Sequence, residues 1–194
     1  MRVRLKIAFL TAAVLFAACA SAQNKPKPKR DPDVPFVPTT EEAVKVMLEL
    51  GGVSKNDIVY DLGCGDGRIV IAAAKTHGAR GVGIDINPER IAEAKANARK
   101  AGVEHLVRFE ENDLFLADFK EATVVTLFLL PAVNLKLRPK LLAELKPGTR
   151  IVSNTFDMDD WKPEKEASAG RDDDEDTYLS HRLLLWRVPE KKSK

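Results

Sequence analysis

A glycine-rich stretch, DLGCGDGR, separates two apolar runs near the middle of the first half of the chain. It places Asp61 just ahead of Gly63, Gly65 and Gly67. Glycine lets backbone turn sharply and approach a ligand closely. A carboxylate in front of such a turn repels a pyrophosphate but attracts an ammonium group. The stretch therefore predicts a ligand that carries an amine and has no phosphate chain.

Two more acidic positions end the next two predicted strands. Asp85, followed by Ile86, lies about 20 residues beyond the glycine turn, where a carboxylate can accept hydrogen bonds from both ribose hydroxyls. Asn112 and Asp113 end the third strand, where an adenine amino group is expected. The three positions together predict a ligand made of an amine, a ribose and an adenine.

Strands alternate with helices along the chain, which predicts how these residues are brought together. The β runs are DIVYDL, GVGIDI, VRFEE, ATVVTLFLL, TRIVSN and YLSHRLLLWRV. Alternation at this spacing is typical of right-handed crossovers in an α/β, doubly wound, mostly parallel sheet with helices on both faces. Ligands bind beyond the carboxyl ends of such strands. We therefore expect the glycine turn and the acidic residues to share one pocket.

Capping residues predict where the helices begin and end. Thr39 and Glu42 form a capping box for a first helix that stops at Gly51. Asn87 and Pro88 are typical of the first residues of another helix. Further helices are predicted in DGRIVIAAAKTHG and around PKLLAELK, and the polar stretch DMDDWKPEKEASAGRDDDED is predicted to be loop.

Over roughly residues 39–188, this combination of motifs resembles the class I S-adenosylmethionine-dependent methyltransferases. The resemblance implies a seven-stranded Rossmann-like sheet and S-adenosylmethionine as cofactor. The residues it assigns to cofactor binding are Asp61, Gly63, Gly65, Gly67, Asp85, Ile86, Asn112 and Asp113.

A narrower resemblance, carried by PFVPT, Asn87-Pro88, DLF, LRPKLLAEL and Trp161, is to the mitochondrial lysine methyltransferases that modify ATP synthase c-subunit and adenine nucleotide translocase. It implies in-line transfer of a methyl group to a lysine amine, in a membrane protein. The segment FLLPAVN departs from those relatives. It also differs from the Asn/Asp-Pro-Pro-aromatic motif of the amine methylases that act on nucleobases and glutamine. The acceptor is therefore left open by the sequence.

Candidates for the acceptor slot follow the fourth and fifth predicted strands. Phe128, Leu130 and Pro131 could form its walls. Asn154, Asp157 and Trp161 could orient a cationic acceptor and are the candidate catalytic residues. Two alternatives stay open: a methyltransferase that acts on RNA or a small molecule, and an exported, non-catalytic protein that binds an adenosine-type ligand.

The N-terminal region has the composition of a targeting segment. Residues 1–22 combine a basic start, an apolar run and Ala-Ser-Ala before Gln23, as in a signal peptide or membrane leader. Acylation of Cys19 is a competing interpretation. An uncleaved apolar run of about 16 residues is short for a membrane span. Export and tethering of a cytoplasm-facing domain to the membrane both stay open.

The rest of the chain divides by composition. Residues 23–38 form a Pro/Lys-rich linker, of which Val34, Phe36 and Val37 are apolar enough to dock on the domain. The methyltransferase domain is predicted for 39–190, and 191–194 form a basic tail.

Net charge, cysteine count and histidine positions argue against nucleic-acid binding, an internal disulfide and a metal site. The whole chain has a formal net charge of +2, and removal of the leader leaves a slight acidic excess, so net charge predicts no binding of nucleic acid. Only Cys64 follows the leader, which leaves no internal disulfide. The three histidines lie far apart, and no metal site is predicted.

Overall fold

The computed structural model describes residues 31–170 and 181–190. The predicted leader, the first part of the linker, the acidic run at 171–176 and the basic tail lie outside the described residues. Within the described residues, no helix is long and apolar enough to cross a membrane.

Seven strands form one sheet in the order β3-β2-β1-β4-β5-β7-β6. The strands are β1 Ile58–Leu62, β2 Arg80–Asp85, β3 Val107–Glu111, β4 Val124–Leu127, β5 Arg150–Asn154, β6 Lys165–Ala169 and β7 His181–Arg187. Strands β1 to β5 run parallel to one another. Strand β7 runs antiparallel to both of its neighbours, β5 and β6. The order reverses between β1 and β4, so a crevice is expected at the carboxyl ends of these strands. The predicted α/β doubly wound, mostly parallel sheet is confirmed.

Four helices pack on the two faces of this sheet. They are α1 Glu41–Leu50, α2 Arg68–His77, α3 Pro88–Ala101 and α4 Pro131–Glu144. One apolar cluster lies between the sheet and α1, α2 and α3, and a second lies between the sheet and α4. Alternate strand residues point into the two clusters, as Val59 and Tyr60 do in β1.

The first helix begins one residue later than predicted. The N-cap is Thr40, whose Oγ1 accepts a hydrogen bond from the amide of Ala43 at 3.2 Å. The predicted cap, Thr39, is buried, and its carbonyl accepts a hydrogen bond from Arg68 Nη1 at 2.6 Å. Because Thr39 is held to the glycine-rich loop in this way, the capping role falls to its neighbour.

Two other predictions are corrected. The stretch predicted as loop contains β6, a polar edge strand that pairs only with β7 and so lacks the apolar alternation of a buried strand. The helix predicted around PKLLAELK begins earlier, at Pro131, and continues through Pro139. Leu137 and Leu141 are fully buried on either side of Pro139, and this packing stabilises the helix despite the lost amide donor.

Candidate functional site

The loop after β1 is fixed to the neighbouring strand by its own backbone. The amides of Gly63 and Cys64 both donate to the carbonyl of Ile84, at 2.8 and 2.9 Å. Gly63, Gly65 and Gly67 all have positive φ, between 52° and 85°. Since side chains rarely adopt this conformation, the spacing of the glycines is dictated by the turn itself.

Because these glycines have no side chains, neighbouring residues can pack closely against the loop. A Cβ atom on Gly63 would lie 2.9 Å from Leu129 Cδ2, and one on Gly65 would lie 2.3 Å from Phe36 Cε2. At Gly67, by contrast, a Cβ atom would collide with the Phe109 ring beneath the loop. The first two glycines therefore shape the upper surface of the loop, and the third permits packing below it.

Asp85 lies at the end of β2 and is bonded to the backbone on both sides. Its Oδ2 accepts from the amide of Gly65, and its Oδ1 accepts from the amide of Asn87, each at 2.8 Å. A carboxylate oxygen can accept more than one hydrogen bond, so each can still receive a hydroxyl. Asp85 and Ile86 line the cavity above the loop, as predicted for a ribose site.

Asp61, at the penultimate position of β1, is 3% exposed. Its Oδ1 accepts a hydrogen bond from Thr126 Oγ1 at 2.8 Å. Burial raises the pKa of Asp61 to about 7; the bond from Thr126 opposes this shift, and the negative charges of Asp85 and Asp66 add to it. A buried carboxyl subject to two negative charges is suited to binding a ligand ammonium group.

A cavity of about 190 Å³ opens over these residues. One of its walls is residues 32–37, which we call the strap. Phe36 of the strap covers Gly65, and the Arg90 guanidinium lies over the Phe36 ring at 4.7 Å from the centroid. Val34 packs against the apolar cluster under α4, which confirms that this end of the linker docks. The apolar residues of the linker predicted docking, but nothing in the sequence indicated that the strap lines the site.

The basic residues at the site are bound within the protein. Arg68 donates to both carboxylate oxygens of Asp66 and to the carbonyl of Thr39. Burial alone would raise the pKa of Asp66, but the hydrogen bonds and charge of Arg68 lower it below its usual value. Arg68 therefore ties Thr39, two residues after the strap, to the glycine-rich loop. Cys64 is buried, and burial raises the pKa of its thiol, so the side chain stays neutral and fills space in the core. Its backbone amide helps to hold the loop.

The two residues predicted at the end of β3, Asn112 and Asp113, differ in their position relative to the cavity. Asn112 lines the cavity. Asp113 is not one of the described residues that line the cavity. Its Oδ1 accepts a hydrogen bond from the amide of Phe115 at 2.9 Å. The role of Asp113 toward an adenine stays a prediction.

The acceptor candidates are not brought together at the cavity. Of the described residues named as candidates, only Phe128 lines it, because β4 ends at Leu127 and the following residues turn across the sheet edge. Asn154 is fully buried at the end of β5, and its Oδ1 accepts from Thr155 Oγ1 at 3.1 Å. Asp157 is exposed in the loop after β5.

Trp161 has a packing role in the structure. Its carbonyl accepts from Trp186 Nε1 at 2.6 Å, and the two rings lie 6.2 Å apart. The Arg138 guanidinium lies over the Trp161 ring, 5.9 Å from its centroid. Trp161 thus covers the apolar cluster at the end of the sheet, and a direct catalytic role for it stays a prediction.

Comparison with known proteins identifies the type of site. The family model of the ANTKMT methyltransferase domain matches residues 61–165. The chain belongs to this family. A protein-lysine N-methyltransferase of Saccharolobus islandicus is 49% identical over 162 residues, covering 83% of this chain and 98% of that protein. A solved RNA methyltransferase of Salinibacter ruber, bound to S-adenosylhomocysteine, is 50% identical, with a TM-score of 0.74 and coverage of 81% of this chain and 97% of that one.

Vertebrate relatives match less completely. The ATP synthase c-subunit lysine N-methyltransferase of Xenopus laevis is 37% identical over 139 residues, which is 72% of this chain and 61% of that protein. The protein described here is a methyltransferase that uses S-adenosylmethionine as its cofactor.

The residues at the cavity fit this cofactor. Asp61 suits its ammonium group and Asp85 its ribose hydroxyls, and both line the cavity together with Gly63. The assignment of individual contacts stays a prediction from the sequence.

Proposed function

We propose that this methyltransferase acts on the amine of a protein lysine. The observation that carries the proposal is the relative that is 49% identical over nearly its whole length and is named as a protein-lysine N-methyltransferase. The vertebrate relative, named for a lysine of the ATP synthase c-subunit, supports the same acceptor.

The protein mainly has to align the reactants. The bound cofactor supplies a methyl group on positively charged sulfur; the lysine nitrogen forms the new N–C bond as the C–S bond breaks and its electron pair stays on sulfur. Alignment of this kind contributes about 7 to 11 kcal/mol in favourable intramolecular cases.

The acceptor lysine must lose its proton before it can react. With an ordinary lysine pKa near 10.4, forming the free amine at pH 7 costs roughly 4 to 5 kcal/mol. Phe128 and Leu129 border the cavity, and desolvation by such residues favours the neutral amine. The proton passes to water, so no strong general base is required of this chain.

RNA is the second candidate acceptor, because the solved relative at 50% identity is described as an RNA methyltransferase. RNA would need cationic side chains at the mouth of the cavity. The arginines there, Arg68 and Arg90, are engaged with Asp66 and Glu93. This arrangement favours the protein acceptor.

Labelling separates the two acceptors. Membranes and RNA from the cells that produce the protein are incubated with methyl-labelled cofactor and the wild-type enzyme. We expect label in protein, recovered as methyllysine after hydrolysis. The Asp85→Ala variant, which should lose cofactor binding in calorimetry, is the negative control. Label that is recovered in RNA and removed by ribonuclease would contradict the proposal.

We also propose that the enzyme is exported or associated with a membrane. The composition of residues 1–22 supports this, and a membrane-protein acceptor would agree with it. Cell fractionation and amino-terminal sequencing of the isolated chain test it. A full-length chain found only in the soluble cytoplasmic fraction would contradict it.

A further inference from the structure

Five exposed apolar side chains lie in the segments that form the cofactor cavity, and we call them the apolar collar; two of them, Phe36 and Val37, line the cavity itself. The collar consists of Phe36, Val37, Leu116, Leu130 and Leu135. These side chains are 40% to 78% exposed, and they are the exposed large apolar side chains of the described part of the chain. Each belongs to one of three segments that contribute cavity-lining residues: the strap, the loop after β3, or the start of α4 with the residues just before it. Their clustering at one place marks this surface as a binding surface.

The three segments pack on the same part of the protein. Val34, Leu114 and Phe115 all pack against the apolar cluster that contains Leu129 and Val133. Lys136 Nζ of α4 lies 4.0 Å from the centroid of the Phe115 ring, which joins the loop after β3 to the helix. The collar side chains are therefore carried by segments that share this cluster and the walls of the cavity.

The collar extends along α4, away from the cavity. Pro131, Leu135 and Pro139 are spaced four residues apart and are all exposed, so they lie on one face of the helix. The opposite face, with Leu137 and Leu141, is buried against the sheet. The exposed face thus prolongs the collar by two turns of helix.

The charges near the collar do not suit a nucleic acid. Arg90 contacts Glu93 and the Phe36 ring, and Arg138 is paired with Asp160. Lys136 lies over Phe115. Binding RNA would require such side chains to leave their partners for phosphates.

We propose that the apolar collar docks an apolar stretch of the acceptor protein that flanks its target lysine. This inference rests on the proposed function. The collar residues belong to the segments that form the walls of the cavity, so a polypeptide whose lysine enters the cavity would lie against the collar. A bilayer lying on the collar would close the opening to any acceptor outside the lipid. A flanking apolar segment instead buries the collar while its lysine enters the cavity.

Two peptides that differ only beside the lysine test the inference. In one the lysine is flanked by leucine and phenylalanine, and in the other by serine and asparagine. The wild-type enzyme should have the lower KM for the apolar peptide. The triple variant Leu116→Ser, Leu130→Ser, Leu135→Ser should raise that KM about tenfold, since apolar burial on docking is lost. Its kcat, and its KM for the polar peptide, should change little.

Controls separate docking from folding and from cofactor binding. Ala96→Ser replaces an exposed apolar residue of α3 and should leave both KM values unchanged. Leu116→Ser alone alters the most exposed collar residue, so a KM effect there is free of packing damage. Affinity for S-adenosylhomocysteine, measured by calorimetry, should be the same in all variants.

Four results would overturn the inference. Equal kcat/KM for both peptides, or a triple variant that behaves as the wild type, removes the docking role and leaves lysine methylation intact. Methylation of neither peptide, with transfer to RNA, removes the proposed function and the docking role together. Loss of binding to phosphatidylcholine vesicles in the triple variant, without a change in peptide KM, assigns the collar to lipid.

Discussion

At the scale of single residues, the cavity is lined by a buried carboxyl, that of Asp61, whose protonation we expect to be coupled to cofactor binding. Burial, with the negative charges of Asp85 and Asp66 nearby, raises the pKa of Asp61 to about 7. An ammonium group binds the ionised form. Binding below pH 7 therefore requires Asp61 to release a proton, and affinity should increase as the pH rises towards 7.

The pH dependence of cofactor affinity checks this coupling. Between pH 5.5 and 7.5 we expect the affinity for S-adenosylhomocysteine to rise by roughly 20-fold, because the carboxyl ionises in this range. Titration calorimetry in two buffers of different ionisation enthalpy should show proton release at pH 6. The Asp61→Asn variant should bind weakly and with little pH dependence. An equally steep rise in that variant would assign the effect to another group.

Alanine variants of two glycines, both with positive φ, distinguish the cost of backbone strain from the cost of a steric clash with a neighbour. Gly65 has φ +52° with Phe36 above it, whereas Gly102 has φ +72° with nothing within 4 Å of an added Cβ. Replacement of either by alanine should cost about 1 kcal/mol of unfolding free energy from left-handed backbone. Only Gly65→Ala should also displace the strap and weaken cofactor binding.

Thermal unfolding and calorimetry of the two variants measure these effects. A Gly65→Ala protein that binds the cofactor as well as Gly102→Ala does would show that the contact between Phe36 and the loop is not needed for binding.

The residues of the cofactor site could largely be predicted from the sequence. Asp61 and Asp85 lie at the carboxyl ends of β1 and β2, and Gly63 follows β1, so the pattern of strands and glycines indicates that they line one cavity. The acceptor side could not be predicted in this way. Asn154 and Trp161 follow the same strand, but whether they face the cavity depends on packing with distant residues such as Trp186.

At the scale of elements, one buried carboxylate joins the amino ends of three strands. Asp57 precedes β1 and accepts hydrogen bonds from Ser54, from Thr123 before β4 and from Arg150 of β5. Burial would raise the pKa of Asp57, but these hydrogen bonds and the charge of Arg150 lower it overall. The ionised carboxylate thus stabilises the fold, and this stability is lost as the pH falls through the folded-state pKa, below the ordinary value.

Replacing Asp57 by asparagine should lower the free energy of unfolding by about 1 to 3 kcal/mol, because the charged acceptor of Arg150 is lost. Urea denaturation at pH 7 and at pH 3 measures this. The difference from wild type should be large at pH 7 and should shrink at pH 3. Asp118→Asn, at an exposed site in the loop before β4, is the control and should be near neutral. A difference independent of pH would mean that ionisation of Asp57 contributes nothing.

The elements themselves were predictable where local signals agree with packing. The caps at Asn87 and Gly102 set the ends of α3 as expected. The errors occurred where tertiary contacts outweigh local preference: Pro139 lies within α4 because leucines on both sides are buried, and β6 forms because β7 offers an edge. A single sequence contains little signal for either effect.

At the scale of the whole molecule, the cofactor cavity is formed by the sheet, its helices and a segment that precedes them. One wall is the strap, which precedes every helix and strand that the structure describes. Arg68 holds Thr39, two residues after the strap, to the glycine-rich loop, so the chain between the strap and α1 is fixed beside the cavity.

The strap has a practical consequence for where this enzyme can be shortened. A boundary chosen at the first residue of α1 would keep every helix and strand that the structure describes, but it would remove Phe36 and one wall of the cavity. It would also remove Thr40, which caps α1, and Val34, which packs against the second apolar cluster. A shortened enzyme should therefore begin before residue 32, and a bulky tag is better placed away from that residue.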